Sequence, residues 1–357
     1  MTQEQPPEGL GGAVAPPPET APRASDTLVA STFRAADARR KVSLPETAAL
    51  FAVLIALVVF FSLTSQYFLN GANLINILQN TARIGIVACP ATLLLISGQF
   101  DLSVGSTSAF VAIVTAIAAA TAGAPITLGL PLLVALLLGT LAALLVGAVN
   151  GVSVTVFRIN ALITTLATLA IFRGLTKVLS DGQTVRLDDF RDLGIGRVMG
   201  LPIPVYIFAA VVVIFYVILR YTTYGRSMYA IGASPAAARL AGIRTGRAIF
   251  VAFVLSAALA GLSGMILLSQ VGSASVNAGI GLELSVVTAV VLGGASLSGG
   301  RGSIVGTTLA VLIVGVLGNG LIQLGVPSFW IEVAGGVLLL AAVGFDQVRV
   351  RYSRSTA

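Results

Sequence analysis

"LSVGSTSAFVAIVTAIAAATAGAPITLGLPLLVALLLGTLAALLVGAVNGVSVTVF", residues 102–157, runs for 56 positions without an Asp, Glu, Lys or Arg. A helix needs about 20 apolar residues to cross about 30 Å of hydrocarbon, and backbone in lipid must bond within its own segment. The run is long enough for two crossings, with Gly123, Pro125, Gly129 and Pro131 supplying a break between them. Two more charge-free runs, Ala248–Leu282 and Gly302–Ile331, repeat the pattern. The fold class that follows is all-α, a polytopic helical membrane protein embedded in a lipid bilayer.

Composition agrees. The 357 residues are 56% apolar and 10% charged, against about 25% charged in soluble domains. A mean hydropathy of +0.98 leaves too little polar surface for a water-soluble chain. The net charge of +7 follows the membrane topology, so it is no sign of a nucleic-acid partner. The single Cys, Cys89, excludes an internal disulfide, and the absence of His removes imidazole bases, Ser-His-Asp triads and most transition-metal sites. No catalytic residue, metal or cofactor is expected.

Residues 1–42 differ from the rest: six of the 14 prolines precede residue 23, without apolar periodicity. That composition cannot bury a core and predicts a disordered cytoplasmic tail, and no short apolar stretch with a cleavage site suggests a signal peptide. The membrane domain is expected over 43–347, opened by Ser43 and Glu46 as a capping box, with a short basic cytoplasmic tail at 348–357. About ten spans are predicted, near 47–64, 74–98, 102–121, 127–155, 161–179, 203–222, 246–271, 284–299, 303–325 and 328–345. Arg34, Arg39, Arg40, Lys41, Arg158, the cluster from Arg220 to Arg247, Arg301, Arg349, Arg351 and Arg354 then share one side. The other side carries chiefly Arg186, Arg191 and Arg197, offset by Asp181, Asp188, Asp189 and Asp192. The positive-inside rule places both termini in the cytoplasm.

A faint internal repeat accompanies this pattern. "DLSV" at Asp101 returns as "ELSV" at Glu283, and "VGAVNG" ending at Gly151 returns loosely as "VGVLGNG" ending at Gly320. With five spans between copies, the repeats would run in opposite directions, a common transporter plan.

The stretch "GGASLSGGRGS" (293–303) contains L-S-G-G, the opening letters of an ATP-binding-cassette signature loop. A nucleotide site also needs a Gly-rich loop ending G-K-S/T, and the two lysines, Lys41 and Lys177, follow Arg40 and Thr176. The segment therefore reads as a tight glycine turn.

"GQFDLSVGS" (98–106), "NGVSVTVFRINALITTLATLAIFRGLTKVLSDG" (150–182), "AARLAGI" (237–243) and "ELSVVTAVVLGGASLSGGRGSIVG" with "NGLIQLGVPSFW" (283–306, 319–330) carry a family resemblance. Over roughly residues 70–346 the chain resembles the membrane permeases of ribose-type sugar ABC importers. The resemblance implies a permease homodimer in the bacterial cytoplasmic (inner) membrane, ATPase subunits on separate cytosolic polypeptides, and an extracytoplasmic sugar-binding protein. Where the family often has Asn-Glu before Ala-Ala-Arg-Leu, this chain has Ser234-Pro235.

Six residues are candidates for the substrate pathway. Asp101 and Glu283 are ionisable at membrane depth, where such groups are costly and usually functional. Both also open helices, where a carboxylate can simply serve the N-terminus. Asn150, Asn160, Asn319 and Gln323 can donate to and accept from a hydroxylated cargo, or act as interhelical glue. Gly147-x-x-x-Gly151 and Gly302-x-x-x-Gly306 favour close packing, and Trp330 beside Phe329 suits an interfacial anchor or a sugar-stacking surface. Between spans six and seven, Ser234 can N-cap, Pro235 fits the first helical position and Gly242 can end the helix. A helix over Pro235–Ala241 would present Ala236, Ala237 and Leu240 on one face, with Arg239 elsewhere, as an element coupling the membrane domain to the ATPase.

The expected function is the transmembrane permease of an ABC importer for a monosaccharide or related polyol, working by alternating access without hydrolysing ATP itself. The competing reading is an ATP-independent secondary transporter or channel for a small polar solute, against which no chain of buried acids and bases is evident.

Overall fold

The structure, a computed structural model, describes residue 2, residues 46–121 and residues 125–354. The tail expected over 1–42, apart from Thr2, and Ser43 of the expected capping box lie outside the described residues. Thirteen helices occur among the described residues: α1 (Glu46–Thr64), α2 (Gly71–Ile96), α3 (Val104–Ala119), α4 (Leu132–Thr155), α5 (Ala161–Ser180), α6 (Asp192–Ile195), α7 (Ile203–Tyr221), α8 (Thr223–Ala233), α9 (Pro235–Leu240), α10 (Thr245–Val271), α11 (Leu282–Leu292), α12 (Ile304–Gln323) and α13 (Ser328–Arg354). Strands among the described residues are limited to β1 (Val185–Arg186) against β4 (Ser273–Ala274), and a hairpin of β2 (Arg197–Val198) with β3 (Leu201–Pro202). Met199 and Gly200, both at positive φ, make the turn of that hairpin.

The layering is the reverse of a soluble protein's. The helices α2 and α10 form the interior and pack against α3, α4, α7, α11 and α12. The three most apolar helices, α1, α4 and α7, lie among the least buried: only 6% of the most apolar stretch of α1 is covered. Phe51, Ile55, Val59 and Leu63 on α1, and Leu133, Leu137, Leu141 and Leu145 on α4, are exposed at four-residue spacing. Such large apolar stripes fit hydrocarbon rather than water. Where α4 crosses α10, Gly147 lies 2.7 Å, measured from where its Cβ would be, from the Val254 Cα, and Gly151 abuts the Phe250 ring, so the small-residue motif does pack helices closely.

Among the described residues, seven helices are long and apolar enough to cross a membrane, namely α1, α2, α4, α5, α7, α10 and α12. All ten expected segments are helical, but Val104–Ala119, Leu282–Leu292 and the apolar part of α13, Phe329–Gly344, are shorter. With 16 and 11 residues, α3 and α11 rise about 24 Å and about 16 Å, short of about 30 Å. The expected span 284–299 stops early because Gly293 caps α11 and Gly294 turns at φ +89. The expected start at 102 is delayed because Asp101 and Ser103 are held in a turn of their own, described below. At its C-terminus α13 runs on to Arg354, beyond the expected domain end at 347.

The bundle has two distinct ends. At one, β1 pairs with β4, and Gly194 N of α6 donates to Ser269 Oγ of α10 at 2.8 Å. At the other, the 293–303 loop meets α2 and α8: Gly300 N donates to Ile96 O at 2.8 Å and Tyr229 Oη to Gly302 O at 2.8 Å. Gly232 sits so close to Ile96 and Gly300 that a side chain there would overlap backbone. The L-S-G-G of residues 297–300 is thus a turn, with Gly299 and Gly300 at φ +81 and +77.

Candidate functional site

Two short helices begin inside the bundle and leave in opposite directions. The far end of α3 clusters with Val185, Leu187 and Ala274 at the α6 end, whereas α11 leads to the glycine loop at the α9 end. Their starts touch: Gly279 lies 2.5 Å, from its would-be Cβ, from the Gly105 carbonyl, and Gly105 abuts the Glu283 carboxylate. Discontinuous helices that meet within the membrane are a recurrent way to build a transport centre. They are also the helices opened by "DLSV" and "ELSV".

Asp101 organises the first start. Its Oδ1 accepts from Ser103 N at 3.0 Å and Ser103 Oγ at 2.6 Å, and its Oδ2 accepts from Ser256 Oγ of α10 at 2.7 Å. Asn150 of α4 donates to Ser103 Oγ at 2.8 Å and accepts from Thr168 Oγ1 of α5 at 2.8 Å. One buried network therefore joins α3, α4, α5 and α10, and both oxygens of a carboxylate at 7% exposure are satisfied. Asp101 serves its helix only indirectly, by bonding Ser103, the N-cap residue.

Glu283 is held differently. Its Oε1 accepts a long bond from Gly281 N at 3.3 Å, and its Oε2 is buried without a partner. Arg173 of α5 reaches the same segment, donating to the carbonyls of Val276 at 3.0 Å and Ala278 at 2.7 Å.

The other candidates lie elsewhere. Asn160 N-caps α5, accepting from Leu162 N at 2.9 Å and Ile163 N at 3.4 Å. Asn319 and Gln323 both bond Asn73 of α2, Asn319 by reciprocal amide bonds of 2.9 Å and Gln323 by one of 2.8 Å. The structure thus brings Asp101 to Asn150, and Asn319 to Gln323, and leaves Glu283 and Asn160 apart. Sequence reading missed Ser103, Thr168, Ser256, Asn73 and Arg173. Of these, Arg173 carried a visible signal, a charge inside an apolar segment.

At the other candidate segment, Ser234 Oγ accepts from Ala237 N at 3.3 Å, and α9 ends at Leu240, one residue before the expected Ala241, with Gly242 at φ +81. Ala238 is buried and anchors the helix, while Pro235, Ala236, Ala237, Arg239 and Leu240 face outward, Leu240 at 91% exposure. Trp330 and Phe329 are exposed on the first turn of α13.

A family profile described as "Branched-chain amino acid transport system / permease component" matches residues 73–343, which include both short helices and α9. The chain belongs to this family. Among curated relatives, the ribose import permease protein RbsC of Bacillus subtilis is 38% identical over 83% of this chain and 91% of its own. RbsC of Escherichia coli K12 is 38% identical over 86% and 95%, and the L-arabinose transport system permease protein AraH of that strain 40% over 76% and 81%. No solved structure matches the chain. It is thus a polytopic helical permease, similar over most of its length to permeases named for ribose import and L-arabinose transport.

Proposed function

We propose that this permease is the membrane-spanning subunit of an ATP-binding-cassette importer that moves a monosaccharide across the bacterial cytoplasmic membrane. It acts as a homodimer, with both termini and the α9 end in the cytoplasm, and ATP is hydrolysed on separate subunits. The family description names branched-chain amino acids, but relatives named for ribose and arabinose share 38% and 40% identity with this chain.

The observation that carries the reading is α9. A six-residue helix is far below the roughly 12–15 residues at which helices become marginally stable in water. Ala238 alone docks it, and Ala236, Ala237 and Leu240 remain exposed. A small apolar knob suits a groove on the ATPase, so that ATP-driven closure moves α8 and α10. At the opposite end, the segment from Ser180 to Pro204 receives the sugar-binding protein. Its exposed hairpin tip, Val198 and Met199, with Arg197, Asp189 and Asp192 nearby in sequence, offers an apolar point in a polar rim.

Replacing Leu240 with Asp tests the α9 role. The variant should insert and fold normally, and co-purification of the ATPase subunit with it should fall at least about tenfold, the equivalent of about 1.4 kcal/mol. ATPase association at the unaltered level would remove α9 from the coupling interface.

A further inference from the structure

Beyond the charge bias that sets topology, the α9 end gathers two of its cations around one cavity. A cavity of about 1010 Å³ lies between the 98–100 turn, the corner joining α4 to α5, the start of α10, and Arg239 of α9. Its lining has two chemistries. Gln99, Thr155, Asn160 and Thr245 offer amides and hydroxyls, the groups that pair with sugar hydroxyls. Arg158 and Arg239 add two cations, and among the described residues no Asp or Glu lines the cavity. A neutral cargo does not require two guanidiniums there, and in a partly enclosed space they favour an anion.

Arg158 is also held at φ +57, in the left-handed region that Gly or Asn occupies with less strain. Planar guanidiniums match phosphate oxygens with paired N–H donors, and the volume far exceeds what inorganic phosphate alone would fill.

We propose that this cavity binds the phosphate monoester of a monosaccharide. The phosphate would sit on Arg158 and Arg239, and the sugar hydroxyls on the amides and hydroxyls between them. That the ester derives from the imported sugar rests on the importer reading above; the cation-lined cavity does not. A neutral sugar delivered to the cytosol is trapped there by a phosphoryl-transfer reaction, since the charged ester cannot recross the bilayer. The site therefore senses the product of the kinase-type step that follows import. Because one arginine belongs to the membrane body and the other to α9, the bound ester ties the coupling helix to the body and slows import as it accumulates.

Binding to the full-length permease in lipid nanodiscs tests this without ATPase or binding protein. Calorimetry with D-ribose 5-phosphate, inorganic phosphate and D-ribose should rank them in that order, the ester at least tenfold tighter than inorganic phosphate. Arg158→Asn tolerates the backbone and should weaken the ester at least tenfold, and Arg158→Lys, which keeps charge but loses the fork, several-fold. The melting temperature without ligand reports whether either variant folds. Ester no tighter than inorganic phosphate, or affinity unchanged in both folded variants, overturns the site. Ester binding that depends on Arg158 in a chain that imports no sugar would instead sink the importer reading and leave the site standing.

Discussion

"DLSV" and "ELSV" differ by one methylene, yet the two helix starts are built in opposite ways. Around Asp101 both carboxylate oxygens are taken up by Ser103 and Ser256, and Asn150 and Thr168 extend the network to α4 and α5. Around Glu283 one oxygen makes a single long bond, and the other rests against Gly105 with no partner. Ser285, the counterpart of Ser103, donates to its own helix start at Gly281 O instead of to the carboxylate. A repeated motif thus supplies a lock in one half and a loosely held charge in the other. A buried acceptor left bare costs free energy, so the Glu283 start is the one that gains from rearranging. We assign the Asp101 network to rigidity and the Glu283 start to movement during alternating access.

The largest expected effect is at the lock. Asp101→Ala strands the Ser103 and Ser256 hydroxyls in the core and should lower stability by about 3 kcal/mol, read as a shift in the denaturation midpoint of the purified permease. Ser256→Ala removes one bond to a charged acceptor and should cost about 2 kcal/mol, with Ser103 still serving the other oxygen. Glu283→Ala should cost less than about 1 kcal/mol, since only the 3.3 Å bond is lost, while changing transport rate more than stability. Equal destabilisation by Asp101→Ala and Glu283→Ala would break the contrast.

Much of this architecture was legible in the amino-acid order, for identifiable reasons. Helix α5 was expected at 161–179 and runs to Ser180, because Asn160 caps it and Asp181 ends it in the left-handed conformation. Helix α9 was legible because Ser234, Pro235 and Gly242 each carry a positional preference. The shortness of α3 and α11 was hidden, since hydropathy reports composition and not depth. The partners of Asp101 were hidden too: serine and threonine in apolar helices commonly bond their own preceding turn, as Thr140 and Thr176 do here. Only the fold shows that Ser256 and Thr168 reach side chains of other helices. Asn319 and Gln323 show the converse, since their amides are spent on Asn73, a residue that nothing in its sequence context marked out.

The most direct test of the central claim is uptake into proteoliposomes containing this permease, its ATPase subunit and its binding protein, with ATP inside or omitted as topology requires. Radiolabelled D-ribose, L-arabinose and further monosaccharides are compared with L-leucine, the cargo class that the family description would suggest. The account predicts uptake of a monosaccharide that requires hydrolysable ATP and the binding protein, and no uptake of leucine. Monosaccharide uptake that proceeds equally without ATP, or ATP-driven uptake of leucine in place of sugar, would contradict it.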